Sequence, residues 1–237
     1  HKKAIVDARR GKLFTKLARA ITVAAKEGGG DPDGNPALGL AIQKAKDASM
    51  PKDNIERAIA KGTGEGADAD ALETVLYEGY GPGGVALLIE TVTDNRNRTG
   101  SEVRHLLTKH GGSLGEPGSV AYNFDKTGLI VVEADAHDED DLLVAIEAGA
   151  TDVIEDGTIF EVLCAPSDLT AVRSALEEAG IAFVSSEVTQ RPKARVEVDE
   201  DGAAKLLRLI DALEDNDDVD TVHANFDAAD EVMERLL

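Results

Sequence analysis

The first twenty-eight residues carry the pattern with the most chemical content. At about 100° per residue along a helix, Arg9, Lys12, Lys16 and Arg19 fall on one stripe, with Lys2 and Lys26 near its edges. Val6, Leu13, Leu17, Ile21 and Ala24 form a second stripe more than a quarter-turn away. A helix divided in this way packs one face on its neighbours and presents the other to phosphate oxygens, which is the electrostatic footprint of a nucleic-acid binder. Lys3 and Arg10 add to the same end. The plainer alternative is an amphipathic helix whose charged face meets only solvent. Few aromatic residues are available to stack on unpaired bases, so contacts to the backbone with little base readout are expected.

Other constellations are weaker. Asp94-Asn95-Arg96-Asn97-Arg98-Thr99 lies between a strand end and a helix start. Asn and Asp there suit turns and caps. Arg96 and Arg98 could form a forked clamp on phosphate or carboxylate, or tether the loop to acidic neighbours. Gly79, Gly81 and Gly84 spell G-x-G-x-x-G, but a dinucleotide site needs a helix after the glycines, and here an apolar strand follows. Gly11-Lys12 lacks the leading glycine and the Ser/Thr of a phosphate-binding loop. His1, His105, His110, His137 and His223 are scattered. Asp215 to Asp220 is acidic enough for calcium but lacks the turn glycine and the terminal bidentate Glu. Cys164 ends an apolar strand and reads as core. No nucleophile–base set and no convincing metal site is visible, which weighs against an enzyme, so no catalytic residue and no metal ligand is assigned.

Charge is distributed unevenly. The chain of 237 residues has a formal net charge of −21. Residues 1–62 hold 13 Lys/Arg against 7 Asp/Glu, a balance of +6, while residues 63–237 hold 12 against 39, a balance of −27. Acidification of free surfaces, as in a salt-adapted protein, accounts for the body and not for the first helix. A single cysteine excludes an internal disulfide and fits a reducing compartment. No apolar run reaches membrane-spanning length, so a cytoplasmic protein with no membrane partner is expected.

The elements that must position these residues follow from periodicity. A helix is expected over Ala4–Glu27, bent near Gly11, then a helix after Asn35-Pro36 and a third over about Asp53–Lys61, with 62–70 as a linker. Strands are expected at Thr74–Gly79, Val85–Thr93 and Ser119–Phe124, with a helix over about Thr99–His110 between the last two. A βαββαβ unit follows: strands Gly128–Glu133, Thr151–Glu155, Thr158–Cys164 and Ile181–Val188, with helices Asp138–Ala148 and Ser167–Ala179. Asp156-Gly157 supplies its hairpin turn. Arg195–Val198, a helix near Ala203–Leu213 and a strand Val219–Phe226 are too little for a separate sheet, so they are expected to return and complete the one begun at residue 74.

Several blocks resemble the YebC-like family: Arg10-Gly11-Lys12-Leu13-Phe14-Thr15-Lys16-Leu17, Glu27 to Pro32, Met50 to Ile59, Tyr77 to Gly84, Asp94 to Thr99 and His110-Gly111-Gly112. The resemblance runs over nearly the whole chain. It implies an α+β multidomain protein: an N-terminal helical bundle, a split α+β domain and an inserted ferredoxin-like βαββαβ domain. The corresponding expected boundaries are 1–70, then 71–126 with 193–237, and 127–192. It also implies a further basic segment ahead of His1, a cytoplasmic location and no cofactor. The family includes DNA-binding transcription regulators and translation factors, among them a mitochondrial translational activator. The expected function is therefore a DNA-binding transcriptional regulator acting through Lys2, Lys3, Arg9, Arg10, Lys12, Lys16 and Arg19, with Arg96 and Arg98 as a second contact. The alternative is a translation factor on ribosomal or transfer RNA. A small-molecule sensor built on the ferredoxin-like domain is a third reading.

Overall fold

The computed structural model describes residues 2–64 and 71–237, with side chains from Arg9 onward; most of the expected linker, 65–70, lies outside the described residues. Three helices come first: α1 (Lys2–Gly28), α2 (Pro36–Asp47) and α3 (Lys52–Thr63). The first is continuous, not bent at Gly11. The Gly11 carbonyl accepts from Thr15 Oγ1 at 3.0 Å while the helix runs on through it. Leu17, Ile21 and Ala24 of α1 enter one core with Leu38, Ile42 and Ala45 of α2 and Ile55 and Ala58 of α3. Leu13, expected on that apolar stripe, is 45% exposed, and its neighbour Phe14 packs against the core in its place.

Asn35 makes the corner between α1 and α2. Its Oδ1 caps Leu38 N at 3.2 Å, and its Nδ2 donates to the carbonyls of Ala24 and Gly29, both at 2.8 Å. A buried amide with those partners satisfies the end of one helix and the start of the next. Thr22 Oγ1 lies 2.9 Å from the Ala18 carbonyl and 3.0 Å from that of Ala58, clipping α1 to α3.

The split α+β domain has a four-stranded sheet. It contains β1 (Glu73–Tyr80), β2 (Ala86–Thr93), β3 (Ser113–Leu114) and β9 (Val219–Ala224) in the order β3-β1-β2-β9. The tail strand thus returns to pair antiparallel with β2, Ile89 opposite Val222. Two helices, α4 (Arg96–Lys109) and α7 (Glu200–Glu214), cover one face. Their Val103, Leu107, Leu206, Leu209 and Leu213 pack on Val85, Leu87 and Ile89. On the opposite face Val92 packs with Val23 of α1 and Leu72. Burial on both faces explains why β2 reads as an unbroken apolar run. Short strands β8 (Val196–Glu197) and β10 (Phe226–Asp227) pair in parallel, and a final helix, α8 (Asp230–Leu236), follows.

The expected strand at Ser119–Phe124 is a loop ending in a 3-10 turn at Ala121–Asn123. The reason is Glu78, buried on β1. Its carboxylate accepts from Gly118 N, from Val120 N at 2.9 Å and from Ala121 N at 2.7 Å. Those amides converge on one anion and are lost to any sheet ladder.

The second compact unit, Phe124–Arg191, is ferredoxin-like. Strands β4 (Phe124–Glu133), β5 (Ala150–Asp156), β6 (Ile159–Cys164) and β7 (Ser185–Pro192) lie in the order β5-β6-β4-β7, with α5 (Leu143–Glu147) and α6 (Leu169–Glu178) as crossovers. Helix α5 is much shorter than the expected Asp138–Ala148. Asp138 and Asp141 exchange side-chain-to-backbone hydrogen bonds at 3.0 and 3.1 Å, which holds that segment as a turn. Cys164 is buried, and burial pushes its thiol up to about 11, as a core residue requires. The first unit comprises residues 1–123 and 192–237.

Candidate nucleic-acid interface

Helix α1 positions five of the expected cations, and they divide into two groups. Arg9, Arg10 and Lys12 are exposed on the part of the helix that extends past the bundle. The Arg10 guanidinium lies 5.2 Å from the Phe14 ring centroid, a cation–π contact that orients it without consuming its charge. Lys16 and Arg19, nearer the bundle, are half-buried. Lys2 and Lys3 open the same helix, but their side chains lie outside the described residues.

The second group, together with Lys12 of the first, faces the acidic turn that joins α7 to β9. Lys12 Nζ is 2.8 Å from Asp215 Oδ1, Lys16 Nζ donates to the Glu214 carbonyl, and Arg19 Nη1 is 3.0 Å from Asp218 Oδ1. Spacing of four and then three residues along α1 puts these cations on one face of the helix, opposite the segment 214–218. Hydrogen bonding to Asp215 raises the Lys12 pKa and depresses that of Asp215. Lys16 moves the other way: burial lowers its pKa against the pull of Asp220, Glu214, Asp217 and Asp215.

Arg98 meets the same turn from α4. Its Nη2 lies 2.9 Å from Asp218 Oδ2 and 2.9 Å from Asp94 Oδ1, and its pKa is raised, chiefly by the bond to Asp218. Thr99 Oγ1 adds a bond to Asp218 Oδ2 at 2.8 Å. Arg96 points elsewhere, to Glu73 Oε2 at 3.1 Å. Of the two sequence readings for Arg96 and Arg98, this geometry is the tether, and neither guanidinium is left as an unpaired clamp. Asn95 caps the helix by accepting from Arg98 N at 3.0 Å.

Asp218 is thus the residue that reading the sequence missed. It is 4% exposed and receives Arg19, Arg98 and Thr99 on its two oxygens. The available signal was charge complementarity between the acidic run 214–220 and a basic helix two hundred residues earlier. Among the described residues no group of three or more His, Cys, Asp and Glu could hold a metal ion, and no helix is long and apolar enough to cross a membrane. The glycine-rich segment Gly79–Gly84 joins β1 to β2 through a 3-10 turn at Pro82–Gly84, with no helix behind it, as the rejection of a dinucleotide site required.

A helical bundle with a projecting basic helix, a split α+β domain and a ferredoxin-like insertion together define a multidomain α+β architecture. The first 65 residues match the TACO1/YebC protein N-terminal domain, and residues 72–226 match the TACO1/YebC second and third domain. The chain belongs to the TACO1/YebC family. It is 57% identical over 233 residues to a "probable transcriptional regulatory protein" of Rubrobacter xylanophilus, covering 98% of this chain and 93% of that one. A protein of the same description from Thermobifida fusca is also 57% identical, over 100% of this chain and 95% of its own. The crystal structure of a conserved hypothetical protein from Aquifex aeolicus superposes with a TM-score of 0.83 at 48% identity, covering 98% of this chain and 96% of that one.

Proposed function

We propose that this chain is a non-enzymatic, cytoplasmic transcriptional regulator that binds duplex DNA through the projecting end of α1. The observation that carries the reading is the exposure of Arg9, Arg10 and Lys12 on a helix whose other end is rooted in a core. Three cations held on a rigid element can meet successive backbone phosphates at little ordering cost. The printed description of the relatives, "probable transcriptional regulatory protein", supports a regulatory role.

Lys16 and Arg19 have a different part in this reading. They hold α1 to the acidic turn and so aim the exposed end. Arg98 completes that mount and Arg96 braces the neighbouring strand, so neither is assigned a direct contact. The acidic remainder of the chain disfavours long non-specific tracts by repulsion.

The test is duplex-DNA binding by the full chain and by Arg9→Glu/Arg10→Glu, both residues being exposed and outside the bundle core. Loss of binding with unchanged thermal unfolding is expected. Unchanged affinity overturns the reading. Recovery of structured RNA in place of promoter DNA after crosslinking in cells would move the same interface to a translation role.

A further inference from the structure

We propose a second anion site, distinct from α1, that takes a small polyphosphorylated ligand in the cleft between the C-terminal end of α4 and the middle of α7. The cleft has a volume of about 440 Å³ and is lined by Pro82, Lys109, His110, Gly111, Lys205 and Arg208. Residues 63–237 contain 12 Lys/Arg against 39 Asp/Glu, yet three of those twelve line this one cleft, contributed by two helices.

The fold builds the site. Gly81 admits the loop against α7, since a Cβ there would lie 2.7 Å from Leu206 Cδ2. Gly111 ends α4 with φ +81°, and a Cβ at that position would lie 3.8 Å from Pro82 Cγ. The glycine-rich loop thus lies against α7 and beside the end of the helix that carries Lys109 and His110. Lys205 shares its charge with Asp201 Oδ2 at 2.6 Å, an exposed pair of little strength. Lys109 and Arg208 have no ion-pair partner among the described residues.

Lys109 at the end of α4 also complements the helix dipole. That role places no demand on Arg208 or Lys205, which lie within α7. Three permanent cations and an imidazole suit a ligand with at least two phosphate charges, and an arginine fork favours phosphate. The volume falls in the range of small-molecule sites. Four of the six lining residues carry basic side chains, so recognition rests on the phosphates. Helix α4 has 14 residues and so spans about 21 Å, which separates this cleft from the Arg98–Asp218 end that mounts α1.

The experiment is calorimetric titration of the full chain with inorganic pyrophosphate at low salt. Saturable binding is expected, weakened about tenfold or more in Lys109→Ala/Arg208→Ala, restored in Lys109→Arg/Arg208→Lys and unaffected by Arg10→Ala/Lys12→Ala. Thermal unfolding checks that the double variant is folded, and Lys205→Gln provides a single, milder variant with the same expected direction. Absence of saturable binding, or binding indifferent to Lys109, Lys205 and Arg208, overturns the site. If Lys109→Ala/Arg208→Ala weakens duplex-DNA binding as much as pyrophosphate binding, the cleft belongs to the nucleic-acid surface and the small-ligand assignment fails. The α1 variants fail independently of these, so the two sites can be judged apart.

Discussion

Arg19 Nη1 lies 3.0 Å from Oδ1 of the buried Asp218, and this ion pair joins the first helix to a turn near the other end of the chain. The second oxygen of Asp218 takes Arg98 and Thr99, and its own backbone joins the sheet edge, its carbonyl accepting from Val92 N at 2.9 Å. One carboxylate therefore connects α1, α4 and the sheet. A buried anion is costly when unpaired, and here the anion has three side-chain donors.

Asp218→Ala should destabilise the fold by about 2–4 kcal/mol, because it leaves two guanidinium groups facing a site built for an anion. Both arginines keep partial access to water, which holds the figure below that of a fully buried charge. Denaturant unfolding measures it. Asp218→Asn, which retains an acceptor for Thr99, should lose less. Equal stability of wild type and Asp218→Ala would deny the carboxylate its joining role.

Stability should fall in acid through two carboxylates in particular. Burial alone would raise Asp218, but bonds from Arg98, Thr99 and Arg19 outweigh it and hold the carboxyl below its ordinary 3.8. Burial likewise opposes and the amides of Gly118, Val120 and Ala121 overcome it at Glu78, held below 4.5. A carboxylate depressed on folding stabilises the native state above its unfolded value, and that stabilisation is lost as pH falls through the folded value. Glu214 runs the other way, since burial raises it. The unfolding midpoint should therefore drop below about pH 4, and Glu78→Gln should flatten the acid limb while costing about 2 kcal/mol at neutral pH. An unchanged acid limb in Glu78→Gln would count against the amide cradle.

The amphipathic period of α1 and the return of β9 to the sheet were legible in the sequence, because both follow from local patterning and from the shortage of strands in the tail. The ferredoxin-like order was legible for the same reason. The loop at Ser119–Ala121 was not, since it depends on one carboxylate from a distant strand capturing amides that alternation alone would assign to a ladder. The turn 214–218 was visible only as an acidic run short of calcium ligands. Its purpose becomes apparent when Lys12, Lys16 and Arg19 are brought opposite it. Leu13 shows the converse: periodicity placed it on the apolar stripe, but the neighbouring Phe14 takes the core contact at that end of the helix.

The crossing of α1 and α3 has no room for a methyl group at Gly62. A Cβ there would overlap the Thr22 carbonyl and lie 2.9 Å from Ala25 Cβ. Gly62→Ala should force the helices apart, at a cost of about 3 kcal/mol, despite the better helix propensity of alanine. Heat-induced unfolding reads the loss. Limited proteolysis should then cut within residues 1–64 before the rest of the chain. A neutral or stabilising effect would mean that the two helices can separate without penalty.

The Lys12–Asp215 pair bears directly on how α1 would meet a phosphate. Its side chains are 50% and 76% exposed, so it is a contact that solvent and salt can open. A phosphate approaching Lys12 must compete with Asp215, whose charge also acts on Arg9 and Lys16. Asp215→Asn removes the competitor and leaves the Arg19–Asp218 mount intact. On the proposed DNA-binding reading it should tighten duplex binding about two- to fivefold at low salt, by weakening local repulsion. With Arg9, Arg10 and Lys12 as the contacts, the wild-type slope of log affinity against log salt should be about −3. Filter binding over a salt series measures both quantities. An Asp215→Asn protein with wild-type affinity and slope would separate the acidic turn from ligand binding and leave it a purely structural clasp.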